Sequence, residues 1–262
     1  AQLETDRSLA GLTQQLATSH PHLFSQTSVF LDATTRNKLA RTVAAIERVI
    51  ALPAYQAHTL AQAPAIARHG FGPAGVFMGY DFHMADDGPR LIEINTNAGG
   101  ALLNAALARA HRVCCAAMTG LFDAATDVLG LDEVFVAMFR DEWLAQRGDA
   151  PLQTLLIVDD EPAAQYLAPE FTLARLLLRR HGITAEVADP RELQWRDGRL
   201  WHPALPAGLP VDMVYNRLTD FDLSLPAHTA LRTAYESGAV VLTPHPRAHA
   251  LFADKRNLIT LG

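Results

Sequence analysis

Long apolar runs are the plainest absence in this chain of 262 residues. Polar residues interrupt every apolar stretch well short of the roughly 20 residues that cross a bilayer, so no membrane-spanning helix is expected. Blocks of lysine and arginine are missing too. Acids and bases are interspersed and the formal net charge is -6, which argues against nucleic acid as a partner. Cysteine is scarce. Cys114 and Cys115 adjoin within a helical pattern, where neighbours point about 100° apart, so no disulfide framework is available. Buried thiols in a reducing compartment, the cytoplasm, are expected instead. No signal peptide stands at the start. The chain does not open with methionine, and residues before Ala1 are expected.

Familiar catalytic signatures are also absent. No Gly-x-Gly-x-x-Gly follows the apolar run at 155–158, there is no P-loop, and no Gly-x-Ser-x-Gly occurs. Dinucleotide oxidoreductases and α/β hydrolases therefore lack support. The histidines fall in no zinc spacing; His20 with His22, and His245 with His249, read as loop or surface residues. No internal repeat or low-complexity segment interrupts the chain.

What is present suffices for one large domain or two ordinary ones, since nearly half the residues are apolar. Helical spacing runs through residues 3–18 and 34–52, where Leu39, Val43, Ile46 and Ile50 form one stripe, Thr34 or Thr35 caps, and Pro53 marks the end. Residues 54–69 are helical again with a break at Pro64. A hairpin is predicted over 76–95, then helices over 101–128 and 131–147. Beyond Asp149-Ala150-Pro151 strands and helices alternate. Strands are predicted at 155–158, 183–187, 211–215 and 239–242, with a small hairpin turning at Asp197-Gly198. The predicted class is α/β, with a mostly parallel sheet in the second half.

The hairpin holds the densest chemistry. A three-residue turn at Asp86-Asp87-Gly88, with Gly88 in a left-handed conformation, sets Ala85 opposite Pro89. Phe82 then faces Ile92 and Tyr80 faces Ile94, on an apolar side. Asp81 faces Glu93 and Gly79 faces Asn95, on a polar side. Two carboxylates opposite one another repel unless a cation sits between them. Oxygen-only ligands suit Mg²⁺, which takes one or two carboxylates plus substrate phosphates. The plainer alternative is a solvated acidic face. Gly99 and Gly100 would let backbone approach a phosphate or substrate closely.

Leu91-Ile92-Glu93-Ile94-Asn95-Thr96-Asn97-Ala98-Gly99-Gly100 resembles the Glu-x-Asn metal-binding strand of ATP-grasp enzymes. It is most similar to glutathione synthetases and other circularly permuted members, in which this strand comes early. The resemblance implies that Glu93 and Asn95, with Asp81 beside them, hold Mg²⁺ on ATP phosphates.

A second block, Val211-Asp212-Met213-Val214-Tyr215-Asn216-Arg217-Leu218-Thr219-Asp220, ends a predicted strand in polar groups. Ligands of open α/β sheets bind beyond such strand ends, and Arg217 either holds a carboxylate or is an ordinary surface arginine. The block resembles the Val-Asp-x-Val-Tyr-x-Arg segment of permuted ATP-grasp and glutathionylspermidine-synthetase-like families. That resemblance implies a substrate site of Tyr215, Asn216, Arg217 and Asp220 with Asn97, Gly99 and Gly100, Arg217 acting directly on the substrate. Lys255, in Asp254-Lys255-Arg256-Asn257, either binds phosphate or sits on a helix surface. Glu170 has a structural reading beside a site reading.

The resemblance implies a helical region with the Glu-x-Asn hairpin at 1–150, a pre-ATP-grasp substrate domain at 151–245, and the start of a further ATP-grasp segment at 246–262. In such enzymes the adenine- and phosphate-clamping lysines follow the Asp-Lys segment, where this sequence stops, so a complete active site is not expected within it. The implied activity is ATP- and Mg²⁺-dependent joining of a carboxylate to an amine. The implied substrate is an amino acid, small peptide or polyamine, and a homodimer is an allowed assembly. The alternative is a protein that keeps the fold and binds ligand without turnover.

Overall fold

A computed structural model describes residues 20, 23, 24, 30–86, 88–114 and 130–261. The helix predicted at 3–18, Cys115 and the end of the helix predicted at 101–128 lie outside them.

The chain opens into helix α1, Ala33–Ile50. Its cap is Asp32, whose carboxylate accepts from Thr35 N at 2.6 Å, not Thr34 or Thr35. An ionised cap in extended backbone both satisfies an orphan amide and complements the helix dipole. Ile46 and Ile50 are buried as the apolar stripe requires. Pro53 opens the next helix, α2 (Pro53–Ala61), where its missing N–H costs nothing.

Strands β1 (Gly79–Ala85) and β2 (Gly88–Asn95) pair antiparallel. At the base the predicted register holds: Asp81 pairs with Glu93, Tyr80 with Ile94 and Gly79 with Asn95. At the tip it does not. Ala85 pairs with Gly88, Phe82 with Leu91, and a bulge at Ile92 absorbs the difference. The physical gain is that Leu91 joins Tyr80 and Ile94 against α1, while Ile92 turns outward and is 51% exposed. Gly88 does adopt a positive φ, +131°.

Helices α3 (Ala101–Cys114) and α4 (Leu131–Arg147) follow. Then come β3 (Thr154–Val158), α5 (Ala168–Arg180) and β4 (Thr184–Ala188). The small hairpin β5 (Gln194–Arg196) and β6 (Arg199–Trp201) turns through positive-φ Asp197 and Gly198 as predicted. Strand β7 (Met213–Asn216), α6 (Thr229–Glu236) and β8 (Val241–Thr243) complete the sheet.

The four strands lie in the order β4-β3-β7-β8, every pair parallel. This is the parallel sheet expected in the second half. Residues of β3 are buried on both sides, which explains its unbroken apolar run. Leu155 and Ile157 pack with α4 and α5 on one face; Leu156 and Val158 pack with α6 and the β5–β6 hairpin on the other. The crossover from β3 to β4 thus uses one face and that from β7 to β8 uses the opposite face. The winding reverses between β3 and β7, so their carboxyl ends border a topological switch point.

After β8 the chain runs through Pro246–Ala248, a π-helical turn at His249–Ala253, Lys255–Asn257 and Leu258–Leu261. His245 is a buried anchor, not a surface residue: its Nε2 meets Pro73 O at 2.9 Å and its Nδ1 accepts from Ala248 N. Leu251 packs with Ile94 and Ile46, which brings this segment onto the hairpin. Among the described residues, no helix is long and apolar enough to cross a membrane.

Glu142 of α4 holds these parts together. Its buried carboxylate accepts from Ala74 N (2.8 Å), Gly75 N (2.9 Å) and Thr243 Oγ1 (2.5 Å). Replacing it strands two amides and a hydroxyl in the interior. Glu142→Ala is expected to lower unfolding free energy by about 3 kcal/mol, read from urea denaturation; a loss under about 1 kcal/mol would show that the anchor is dispensable.

Candidate functional site

Two groups of polar residues are assembled, joined by the loop that leaves β2. The first is the acidic face. Asp81 and Glu93 are cross-strand partners, and Asn95 lies on the same side two residues on. Asn95 Nδ2 reaches Glu93 Oε1 at 3.1 Å and Asp81 Oδ2 at 3.4 Å. Lys255 Nζ sits 3.2 Å from Glu93 Oε2. The Asn95 amide, followed by Lys255, holds the Glu93 carboxyl below its ordinary value. The Lys255 ammonium therefore takes part of the role that any cation on this face must fill. Among the described residues no three His, Cys, Asp or Glu side chains gather into a metal-holding group. The donor set is two carboxylates and one amide oxygen, with rotation of the Asn95 amide presenting Oδ1. That set fits a hard cation which takes its remaining ligands from phosphate or water, and does not fit a fully protein-caged one.

The second group surrounds the loop at 96–100. Arg217 Nη1, from the end of β7, donates to Asn97 O at 2.6 Å and Ala98 O at 3.1 Å. Glu170, in the first turn of α5, accepts from Gly100 N at 2.6 Å and Leu102 N at 2.9 Å. A buried cation thus takes the carbonyls of the loop, and a buried anion caps α3 from outside its own sequence. Gly99 fits because a Cβ there would collide with Leu167 Cδ1 and come 2.9 Å from Arg217 Nη2. The close approach expected of this glycine is to the protein's own side chains.

The other expected substrate residues are distributed unevenly. Tyr215 is 1% exposed and packs against Phe77 and Phe139, and burial pushes its phenol up to about 12. Asn216 is also buried, donating to Pro244 O and accepting from Leu218 N. Both are engaged in packing the domain, as is Arg217. Asn97 donates to Leu218 O at 3.4 Å. Asp220 accepts from Leu225 N and Ser224 Oγ and lies 2.7 Å from Nδ1 of His228. Burial raises its carboxyl, but those hydrogen bonds together bring it below the ordinary value.

Sequence reading missed the acids after β3. Asp159 and Asp160 stand at the switch point, and the fully buried His228 spans from Asp220 to Asp160 Oδ1, 3.1 Å away. Asp159 accepts from Asp160 N, and burial pushes its carboxyl up to about 6. The available signal was positional: two acids directly after an all-apolar parallel strand.

Asp159 makes stability depend on pH in a definite direction. Between its ordinary value of 3.8 and about 6, the folded chain holds a proton that the unfolded chain releases. Stability therefore falls as pH rises through that window. Asp159→Asn keeps the acceptor and removes the charge. The variant is expected to match the wild type near pH 4 and exceed it by about 1–2 kcal/mol near pH 7, after solvent screening. Urea denaturation across that range checks this; parallel curves for the two proteins would disprove it.

The chain matches no known protein-family model and no curated protein, so its chemistry rests on these side chains.

Proposed function

We propose that the protein is a Mg²⁺-nucleotide-dependent carboxylate–amine ligase of the circularly permuted ATP-grasp kind, with the acidic hairpin face as its phosphate-facing metal site. One observation carries the reading. Asp81, Glu93 and Asn95 share one face of a hairpin, with Lys255 resting on Glu93. Adjacent carboxylates on a strand pair are costly without a cation, and an ammonium beside them suits a site that takes both metal and phosphate.

In this reading Asp81, Glu93 and Asn95 would hold Mg²⁺, and Lys255 would swing from Glu93 to a phosphoryl oxygen. Bound Mg²⁺ supplies neutralisation of the charge on the transferring phosphoryl group. The substrate carboxylate would displace ADP from the terminal phosphorus, and the amine would then displace phosphate from the acyl carbon and give up its proton. Arg217 and Glu170 act as positioning residues, since both grip the backbone of the loop that follows Asn95. An amino acid, small peptide or polyamine is the substrate class, by analogy of fold alone.

A second reading has its own support. Arg217, the cation expected to hold the substrate carboxylate, has Nη1 engaged by two carbonyls. That arrangement suits a protein that binds nucleotide without turnover. The two are separated by measuring ADP release from the full chain with amino acids, peptides and polyamines. Acceptor-dependent release supports the ligase. Nucleotide binding without it supports the second reading, and no Mg-ATP binding overturns both.

Two variants sharpen the test. Glu93→Gln is expected to weaken Mg-ATP binding at least about tenfold, with the thermal midpoint nearly unchanged because the group is near the surface. Arg217→Ala is expected to cost about 3 kcal/mol of stability, because it leaves Asn97 O and Ala98 O without their donor. Loss of substrate affinity with stability intact would restore Arg217 to direct substrate contact.

A further inference from the structure

We propose that the groove between α1 and the tip half of β2 is a docking site for an acidic peptide segment of a partner protein, separate from the nucleotide face. The groove has a volume of ≈ 1130 Å³. Lys38, Arg41 and Arg48 of α1 line it, Thr260 and Leu261 close one side, and no acidic residue lines it among those described. The chain as a whole has the opposite bias, 28 acids against 22 lysines and arginines. Cations have therefore been concentrated here against the composition. Lys38 and Arg41 are three apart on one helix, a like-charge spacing that weakens the helix in isolation. An anionic occupant relieves that repulsion.

The floor is apolar. Ile46 and Val49 of α1 and Leu91 of β2 line it beside the cations. Leu91 is there because the bulge at Ile92 turns it towards α1, away from the side that carries Asp81 and Glu93.

The spacing selects the kind of occupant. Ten residues of helix separate Lys38 from Arg48, a rise of about 15 Å. That length takes about five residues of extended chain. A compact anion would be held by converging cations, whereas these follow one another along α1. An extended segment alternating carboxylates with apolar side chains places the first on the rim and the second on the floor.

The probe is a fluorescein-labelled nonapeptide of alternating glutamate and leucine, titrated with the full chain by fluorescence anisotropy. Saturable binding that weakens with added salt is expected, with hydrogen-exchange protection over α1 and residues 88–91. The double variant Arg41→Glu, Arg48→Glu should lose at least about tenfold in affinity. Its circular dichroism and Mg-ATP affinity should stay unchanged, which keeps this test distinct from that of the nucleotide site. The matching lysine–leucine peptide should bind the double variant and not the wild type. Equal affinity of wild type and variant, or protection elsewhere, overturns the proposal. So does equal binding of an all-glutamate nonapeptide, which would leave the apolar floor unused. Displacement of the probe by an equal concentration of inorganic tripolyphosphate overturns it in favour of a phosphate site.

Discussion

The grip of Arg217 and Glu170 on the loop at 97–102 is the constraint from which the rest follows. Each side chain is buried and each grips the loop through its backbone: one takes carbonyls, the other amides. A buried charge is tolerable only when hydrogen bonds replace its water; here peptide groups supply them to Arg217 Nη1 and to the Glu170 carboxylate, while Arg217 Nε has no partner among the described residues. Because Arg217 ends β7 and Glu170 begins α5, the loop is pinned to the parallel sheet from two directions. The loop in turn fixes where β2 ends, and therefore where Glu93 and Asn95 stand. The acidic face inherits its geometry from a sheet it does not belong to.

That inheritance gives the charges on the hairpin a consistent logic. Asp81 and Glu93 are held together by pairing, Asn95 donates to both, and Lys255 arrives on a segment docked through Leu251 and His245. The Lys255 ammonium is exposed, so it can yield to a stronger cation without disturbing the core. Deeper acids behave differently. Burial pushes the Asp159 carboxyl up to about 6, whereas Asp220 is drawn below its ordinary value by donors that outweigh burial. Within one rim of strand ends, hydrogen bonding decides which way burial's push on an acid is resolved.

Much of this was legible in the sequence. The four-residue apolar run at 155–158 announced a strand covered on both faces, and Asp197-Gly198 announced a tight hairpin; both are local signals and both are present. The pairing of Asp81 with Glu93 followed from counting outward from a turn, although the count was wrong at the tip and was corrected by a bulge that periodicity alone does not reveal. Arg217 and Glu170 were noticeable as residues but their partnership was not, since their bonds span 120 and 70 positions in the chain. Contacts between a side chain and distant backbone leave no pattern in residue types. His245 reads as a loop or surface residue; it does lie in a loop, but buried, and its partner is the carbonyl of Pro73, which any residue would carry.

The bulge at Ile92 divides β2 into two phases. A regular strand has one parity, so an error of one position at the turn would travel its whole length and reverse every side chain. Here the tip segment answers to α1 through Leu91, and the base segment answers to the clamped loop through Asn95. The extra residue between them works as a slip joint. Insertions, deletions or turn variants near Gly88 can be taken up at Ile92 before they reach Glu93, leaving the tip free to diverge while the acidic face stays in step.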